Sequence, residues 1–249
     1  MNNQSTTPPL HFIADMGNSR IKLFVADRRR ILHSAIYRDL PDLRKLFDLF
    51  PRIGAGIYVA SGKVPADMLD FLTRRLNPFI HFTALTPCPM KIVYETPETL
   101  GGDRLAAVIG ANAFFPNANL AAFDFGTAIT INFVDQNNRF TGGNISPGLS
   151  MRFKALHDYT NRLPLLGAPE NVGETGQSTQ SAIEAGVVNG IIGEITSYIL
   201  KYPDRKIIFT GGDAFYFARK IKYPIFAFSN PIVFGLNKVL ISNIGKCVI

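Results

Sequence analysis

The chain has 249 residues, of which 47% are hydrophobic and 18% charged, so it can build one large domain or two small ones with ordinary cores. Only two cysteines are present, which argues against a disulfide framework and predicts a protein of the reducing cytoplasm. No uninterrupted apolar run reaches the roughly 18 residues that cross a bilayer, so no membrane association is predicted.

The formal net charge of +7 favours anionic ligands. The tightest basic cluster, Arg28-Arg29-Arg30, lies at a predicted hairpin turn, where such a run is usually solvated. No helix carries a regular basic stripe with interleaved aromatics, so nucleic acid is not the favoured partner. None of the four histidines has metal-ligand spacing with a cysteine or another histidine, and no structural zinc site is predicted.

The first part of the chain predicts three meandering strands followed by alternating helices and strands. Residues 1–10 are polar and contain prolines, and we expect a disordered tail there. Residues 11–116 are expected to form the first domain, in which hydrophobic periodicity decides between helix and strand. The predicted elements are strands 11–15, 20–27 and 31–37, helix 40–50, strand 55–61, helix 65–76, strand 79–85 and helix 103–115.

The second part, residues 117–249, repeats this order and is expected to form a second domain, with an inserted segment near 158–178. The order βββαβαβα therefore occurs twice, which predicts an α/β fold with two mixed five-stranded sheets carrying helices on their faces. The predicted elements are strands 119–125, 129–135 and 139–145, helices 148–157 and 179–201, strand 206–210, helix 213–221, strand 224–228 and helix 232–243.

Two similar glycine turns follow the first strand of each half. One is Asp15-Met16-Gly17-Asn18-Ser19 and the other is Asp124-Phe125-Gly126-Thr127-Ala128. A carboxylate at a strand end can hold a metal ion, and a glycine lets successive N–H groups face a phosphate. A single turn of this kind is more often a plain hairpin. Two at corresponding positions predict a duplicated nucleotide-binding fold.

Further candidate residues lie in glycine-rich segments and helix starts, where an ordinary structural role is the alternative. Gly142 to Gly148 forms either a plain turn or a close approach to a ligand, and Asp213 after Gly211-Gly212 either caps a helix or borders an adenosine or phosphate site. The ordinary role of Thr179 would be to cap the helix that starts there, and the ordinary role of Tyr94 would be to pack as an aromatic side chain. Within Gly101-Gly102-Asp103-Arg104, Asp103 is a cap or a proton acceptor. Arg104 runs against the helix dipole, which indicates an anionic partner.

Taken in order, these motifs resemble type III pantothenate kinase, within the acetate kinase–sugar kinase–Hsp70–actin superfamily. The resemblance spans about residues 11–243. The matching positions are Asp15 to Lys22, Tyr94, Gly101 to Arg104, Asp124 to Ala128, Gly142 to Gly148, Ala155-Leu156, Leu163-Pro164, Thr179, Ala182-Ile183, Gly186 and Thr210 to Ala214. The sequence departs at Ser19, where Thr is common, and at Ser178, where Asn is common; neither belongs to the catalytic set.

The resemblance implies two ribonuclease H-like domains that face each other across a nucleotide-binding cleft, as in actin-like ATPases. It implies transfer of the ATP γ-phosphate to the primary hydroxyl of pantothenate, the first step of coenzyme A synthesis. Asp103 would be the general base, Asp124 would hold K⁺ or NH₄⁺, and Asp15 would hold Mg²⁺ through water. The implied ATP contacts are Asp15, Met16, Gly17, Asn18, Ser19, Arg20, Ile21, Lys22 and Thr127. The implied pantothenate contacts are Tyr94, Gly101, Gly102, Asp103, Arg104 and Thr179.

The resemblance also implies a quaternary arrangement and leaves alternatives for Arg104 and for the substrate. Family members are homodimers with sites completed across the interface, so Thr179 is expected to serve the partner's pocket. Arg104 would pair either with the substrate carboxylate or with the transferring phosphoryl group. Alternatives to pantothenate phosphorylation are an accessory transcription regulator without turnover and a kinase of the same fold that acts on another alcohol, such as a sugar.

Overall fold

The computed structural model describes residues 9–244. They form two compact units: unit 1 runs up to Phe114 and resumes at Pro231, and unit 2 is Phe115–Asn230. Most of the predicted N-terminal tail lies outside the described residues. Leu10 is a correction to that prediction, because it is buried in the first strand and its N–H donates to the carbonyl of Arg52 at 3.0 Å.

Unit 1 is a five-stranded sheet in the order β3-β2-β1-β4-β5, with β1 antiparallel to β2 and parallel to β4. The sequence predicts this mixed sheet correctly. Its elements are β1 (Leu10–Met16), β2 (Ile21–Ala26), β3 (Ile31–Ile36), α1 (Leu40–Leu49), β4 (Ile53–Ala60), α2 (Ala66–Arg75), β5 (Phe79–His81), the two-residue β6 (Lys91–Ile92), α3 (Gly102–Phe114) and α7 (Pro231–Ile244).

The two faces of β1 have different neighbours because side chains alternate along a strand. Phe12 and Ala14 belong to the apolar cluster that α1 and α2 cover with Phe47 and Met68. His11 lies on the other face, where its Nδ1 is 2.6 Å from Asn237 Oδ1 of α7. Asp15 shares that second face with His11, at the carboxyl end of the strand.

Helix α7 belongs to unit 1, whereas the sequence-based boundaries place it in the second domain. The reason is a backbone-to-backbone contact between α3 and α7. A Cβ atom on Gly110 would lie 1.9 Å from the carbonyl oxygen of Pro231, and one on Gly235 would lie 1.9 Å from that of Ala106. Two helices approach this closely only where neither carries a side chain at the crossing.

The five strands that lie within unit 2 repeat the strand order of unit 1, as β11-β10-β7-β8-β9. Helix α5 is stabilised at its start by a capping box between Ser178 and Ser181, and its buried face packs on the phenylalanine-rich core around Phe123 and Phe209. The elements are β7 (Leu120–Phe125), β8 (Ala128–Val134), β9 (Arg139–Pro147), α4 (Leu149–Asp158), α5 (Thr179–Lys201), β10 (Lys206–Gly211), α6 (Ala214–Ala218) and β11 (Ile225–Ala227).

Helix α5 is the one helix among residues 9–244 that is long and apolar enough to cross a membrane. It is apolar as a whole although no uninterrupted apolar run reaches that length. Its residues Ile183, Val188, Ile191 and Ile195 are buried in the core of unit 2. A core helix passes the same test of length and composition, and the buried face accounts for this one.

Two predicted elements are shorter than expected. Strand 79–85 ends at His81, because the segment after it turns: the N–H of Thr86 donates to the carbonyl of Thr83 at 3.0 Å. Helix 213–221 spans only Ala214–Ala218, and the N–H groups of Lys220 and Ile221 close a turn on the carbonyl of Phe217.

Candidate active site

The first glycine turn joins β1 to β2. The N–H of Gly17 donates to the carbonyl of Arg20 at 3.1 Å and closes the turn. Asp15 and Lys22 stand opposite each other on the two strands, and Lys22 Nζ lies 3.5 Å from Asp15 Oδ2. The Asp15 side chain is only 13% exposed, whereas that of Lys22 is 43% exposed. The turn therefore presents a largely buried carboxylate beside an accessible ammonium group.

The electrostatic surroundings of Asp15 connect it to Asp103. Burial raises the pKa of Asp15, Lys22 opposes that shift, and the negative charge of Asp103 adds to it. The carboxylate predicted to hold Mg²⁺ therefore lies within the electrostatic reach of the one predicted to be the general base. A cation near Asp15 would favour the ionised form of this carboxylate.

A second loop supports this turn, and the sequence analysis missed it. The N–H groups of Ser61 and Gly62, directly after β4, both donate to the carbonyl of Met16 at 3.0 Å. A Cβ atom on Gly62 would lie 2.6 Å from the carbonyl oxygen of Gly17. The sequence carries one signal for this loop, a buried strand followed by small residues. Because β1 and β4 are parallel and end at the same edge of the sheet, such residues after β4 lie beside the turn that follows β1.

The start of α3 packs so closely on the segment after β5 that Gly102 has no room for a side chain. A Cβ atom on Gly102 would lie 2.7 Å from the carbonyl oxygen of Phe82, and one on Gly101 would lie 2.6 Å from Asp103 Oδ1. Asp103 Oδ1 accepts the backbone N–H of the adjacent Arg104 at 2.8 Å. The Arg104 side chain is buried in the first helical turn. Tyr94 lies in the irregular segment before this helix and is half-buried.

In unit 2 the three glycine-rich segments pack on one another. The N–H of Gly126 donates to Ala128 O at 3.2 Å and closes the second turn, which leaves Thr127 exposed. A Cβ atom on Gly148 would lie 2.4 Å from the carbonyl oxygens of both Gly126 and Thr127. Gly211 has a φ of +96°, which few residues other than glycine adopt. Gly148 and Gly211 therefore have a structural reason to be glycine.

Asp124 lies on the central strand of unit 2, next to the third glycine segment. It pairs in register with Thr130 of β8 and with the buried Thr210 of β10. A Cβ atom on Gly211 would lie 2.5 Å from both Asp124 Oδ1 and the carbonyl oxygen of Phe125. Two oxygen atoms therefore border the same small space, and oxygen is the ligand that hard cations prefer.

Two helix starts differ from the capping roles considered above. Ser178 caps α5, and Ser181 completes the capping box, so the hydroxyl of Thr179 is not the cap. Asp213 occupies the N-cap position of α6 but makes no side-chain capping bond, and burial raises its pKa. Thr179 is exposed at the first position of α5. Neither the Thr179 nor the Asp213 side chain therefore caps its helix.

Within residues 9–244, no group of three or more His, Cys, Asp or Glu side chains is arranged to hold a metal ion. A cation held by one carboxylate therefore needs ligands beyond such side chains. Backbone carbonyls, hydroxyl and amide side chains, water and the phosphates of a bound nucleotide can supply such oxygen ligands.

A model of the protein family described as type III pantothenate kinase matches residues 11–201, from β1 to the end of α5. The chain belongs to the type III pantothenate kinase family. A relative from Bacteroides fragilis, named type III pantothenate kinase, is 39% identical over 245 residues, which cover 95% of this chain and all of the relative. The matched range contains every residue implied above for ATP, pantothenate and cation binding.

Solved structures share the fold. MreB5 of Spiroplasma citri bound to ADP has a TM-score of 0.52 at 10% identity and covers 96% of this chain and 98% of its own. A Campylobacter jejuni protein named as a Baf family transcriptional activator has a TM-score of 0.62 at 22% identity and covers 94% of this chain and 99% of its own. At these identities the likeness shows the fold alone, which is the actin-like ATPase fold that the sequence predicts. Family membership favours the kinase over the regulator.

Proposed function

We propose that the chain transfers the γ-phosphate of ATP to the primary hydroxyl of pantothenate, as the first step of coenzyme A synthesis. The observation that carries the proposal is the family match over residues 11–201. That range contains Asp15 and Asp103, and the negative charge of Asp103 adds to the raised pKa of Asp15. Phosphoryl transfer needs positioning and charge neutralisation rather than covalent chemistry from the protein.

The two glycine turns are proposed to bind ATP. Residues 15–22 would contact the phosphates in unit 1, with the accessible ammonium of Lys22 as a charge partner. Thr127, exposed on the second glycine turn, is also proposed to contact ATP through its hydroxyl. The support from Ser61 and Gly62 keeps the first turn in place before the nucleotide binds.

Asp103 is proposed to be the general base. It would accept the proton of the substrate hydroxyl as the oxygen attacks the γ-phosphate. Its neighbour Arg104 has two candidate partners, the pantothenate carboxylate and the transferring phosphoryl group. If substitution of Arg104 raises only the pantothenate KM, Arg104 binds the carboxylate. If the substitution lowers kcat, Arg104 acts on the phosphoryl group.

An ATP-dependent kinase family implies a divalent cation with ATP, and the residues present fit one. Asp15 offers a largely buried carboxylate at the end of β1, and its raised pKa is the situation that a neighbouring cation relieves. Asp15 would hold Mg²⁺ through water, and the ion would neutralise phosphate charge when bound. Asp124 Oδ1 and the carbonyl of Phe125 would hold a monovalent cation, K⁺ or NH₄⁺.

The pantothenate site is proposed to combine Tyr94, Gly101 to Arg104 and a Thr179 from a second copy of the chain. Thr179 is exposed and is not the helix cap, so its hydroxyl can serve a ligand. Mixing Asp103→Asn, which lacks the proposed base, with Thr179→Ala, which is expected to have a raised pantothenate KM, tests the shared site at a low pantothenate concentration. Recovery of activity supports a homodimer in which Asp103 of one copy meets Thr179 of the other. Recovery fails if each site lies within one copy.

A panel of alcohols tests the proposed substrate. The purified protein is incubated with ATP and Mg²⁺ and with pantothenate, sugars or other primary alcohols, and phosphorylated products are identified by mass spectrometry. The proposal expects a phosphorylated product from pantothenate and none of comparable yield from the other alcohols. A preferred product from a sugar would assign the chain to another substrate on the same fold.

A further inference from the structure

The end of strand β9 is held by an arginine from the next helix. Arg152 of α4 donates from Nε to the carbonyl of Pro147 at 2.9 Å, and its Nη2 lies 3.4 Å from Ser146 Oγ. The same nitrogen forms an ion pair with Glu194 of α5. One guanidinium group therefore joins the end of β9, helix α4 and helix α5.

The placement of Arg152 is unfavourable for the helix taken alone. It lies in the first turn of α4, which has no acidic residue there and whose N-cap, Gly148, makes no side-chain capping bond. A positive charge at this end opposes the helix dipole. Glu194 offsets that charge, and both side chains are about one-fifth exposed, at 22% and 23%. The ion pair is thus partly shielded from solvent, and it fixes the orientation of the guanidinium group.

The segment that Arg152 holds presses on the second glycine turn. The N–H of Gly148 donates to the carbonyl of Thr127 at 3.1 Å. Gly148 also packs so closely on the carbonyls of Gly126 and Thr127 that no Cβ atom fits. Any shift of Pro147 and Gly148 must therefore move Gly126 and Thr127.

We propose that Arg152, fixed by Glu194, is a positioning residue for the Gly126–Thr127 turn and thereby for nucleotide binding. The inference rests on the proposed ATP contact of Thr127. Neither side chain needs to touch ATP: the guanidinium sets the position of Pro147, Gly148 transmits it, and Thr127 presents its hydroxyl. We expect a change at Arg152 to affect nucleotide binding selectively, because none of the proposed pantothenate contacts takes part in the hydrogen bonds that link Arg152 to Thr127.

The test is Arg152→Lys, which keeps the positive charge but removes the planar fork that bonds Pro147, Ser146 and Glu194 together. Arg139→Lys is the matched control, since Arg139 pairs with Asp135 at 2.7 Å at the opposite end of the same strand. Affinity for a non-hydrolysable ATP analogue is measured by calorimetry without pantothenate, together with both KM values and the melting temperature. We expect Arg152→Lys to weaken analogue binding and raise the ATP KM about tenfold, with the pantothenate KM unchanged.

The inference is overturned if Arg152→Lys and Arg139→Lys have equal effects on analogue binding, or if both KM values of Arg152→Lys change together. If Arg152→Lys does not fold, Glu194→Gln removes the ion pair that fixes Arg152 and is expected to weaken analogue binding in the same direction. Binding by the wild type without turnover of pantothenate would overturn the proposed substrate, while the ratio of analogue affinities would still decide the role of Arg152. No binding by the wild type would overturn both.

Discussion

Asp15 lies within the electrostatic reach of Asp103: burial raises the pKa of Asp15, and the negative charge of Asp103 raises it further. Lys22, at 3.5 Å from Asp15, opposes the shift only in part. The charge of the carboxylate to which we assign proton transfer therefore affects the carboxylate to which we assign metal binding, and both lie in unit 1. Ionisation of Asp15 is unfavourable in this environment, and a bound cation would make it favourable; shifted pKa values of this kind are common at functional sites.

Asp103→Asn tests the general base. The amide oxygen of Asn can still accept the N–H of Arg104, so the start of α3 should be preserved. We expect turnover to fall by roughly two or more orders of magnitude with ATP binding little changed, since proton transfer is lost but the phosphate contacts remain. Steady-state kinetics and calorimetry measure the two effects. Asp48→Asn, at an exposed position of α1, serves as the control; near-normal turnover in Asp103→Asn would refute the assignment.

Asp15→Asn separates stability from activity. Because the folded pKa of Asp15 is raised above 3.8, its contribution to stability is present below that value and is lost as the pH rises through the raised pKa. At about pH 7 the variant should melt at a higher temperature than the wild type, and the difference should shrink toward about pH 4. Turnover with Mg²⁺ should fall roughly a hundredfold or more.

Asp27→Asn is the control of opposite sign. Backbone N–H groups of Arg29 and Arg30 lower the pKa of Asp27. Its charge therefore stabilises the fold above the ordinary pKa, and this contribution is lost as the pH falls through the lowered one. Melting curves of both variants across this pH range check the account. Destabilisation of Asp15→Asn at neutral pH would contradict it.

Asp124→Ala tests the monovalent cation site. We expect the wild type to be more active in K⁺ than in Na⁺ and the variant to lose that difference, because the carboxylate beside Gly211 is removed. Initial rates in the two salts provide the measurement. Asp204→Ala, which removes an exposed carboxylate of the same unit, should keep the K⁺ response. A normal K⁺ response in Asp124→Ala would place the cation elsewhere.

Gly211→Ala and Gly212→Ala form a matched pair of neighbours. A methyl group at Gly211 meets Asp124 and the carbonyl of Phe125 at a φ of +96°, whereas nothing lies within 4 Å of one at Gly212. We expect Gly211→Ala to destabilise the fold by roughly 2 kcal/mol or more, from steric overlap and backbone strain. Gly212→Ala should melt close to the wild type. Equal melting temperatures for the two would contradict the packing described.

Ser178 and Thr179 are adjacent residues with different expected roles. Ser178→Ala removes the cap of α5 and should destabilise the protein by about 1 kcal/mol without changing either KM. Thr179→Val should raise the pantothenate KM about tenfold, through a lost hydrogen bond, with a smaller effect on stability. Thermal unfolding and kinetics distinguish them. A change in only the ATP KM of Thr179→Val would show that this loop serves the nucleotide instead.

Local patterns predict much of this fold. Helix α5 begins and ends where the periodicity places it, at Thr179 and Lys201, and the duplicated order of strands gives the same sheet arrangement twice. Asp15 and Asp124 stand at or near strand ends, as their motifs indicate. These features depend on residues close together in the chain, where hydrophobic periodicity and turn chemistry act directly.

What the sequence did not predict depends on contacts between distant segments. Helix α7 joins unit 1 through the crossing of Gly110 and Gly235, and two glycines carry no periodic signal for such a contact. Gly62 supports the first turn through backbone atoms, which any sequence supplies. Ser178 rather than Thr179 caps α5, because two hydroxyl residues in succession satisfy the same capping preference.

The most direct measurement is ADP release by the purified protein with ATP and Mg²⁺, with and without pantothenate, in K⁺ and then in Na⁺. The account predicts release that depends on pantothenate and is stronger in K⁺. Release with pantothenate that is equal in both salts would keep the kinase and remove the role of Asp124. Absence of pantothenate-dependent release in either K⁺ or NH₄⁺ would contradict the central claim.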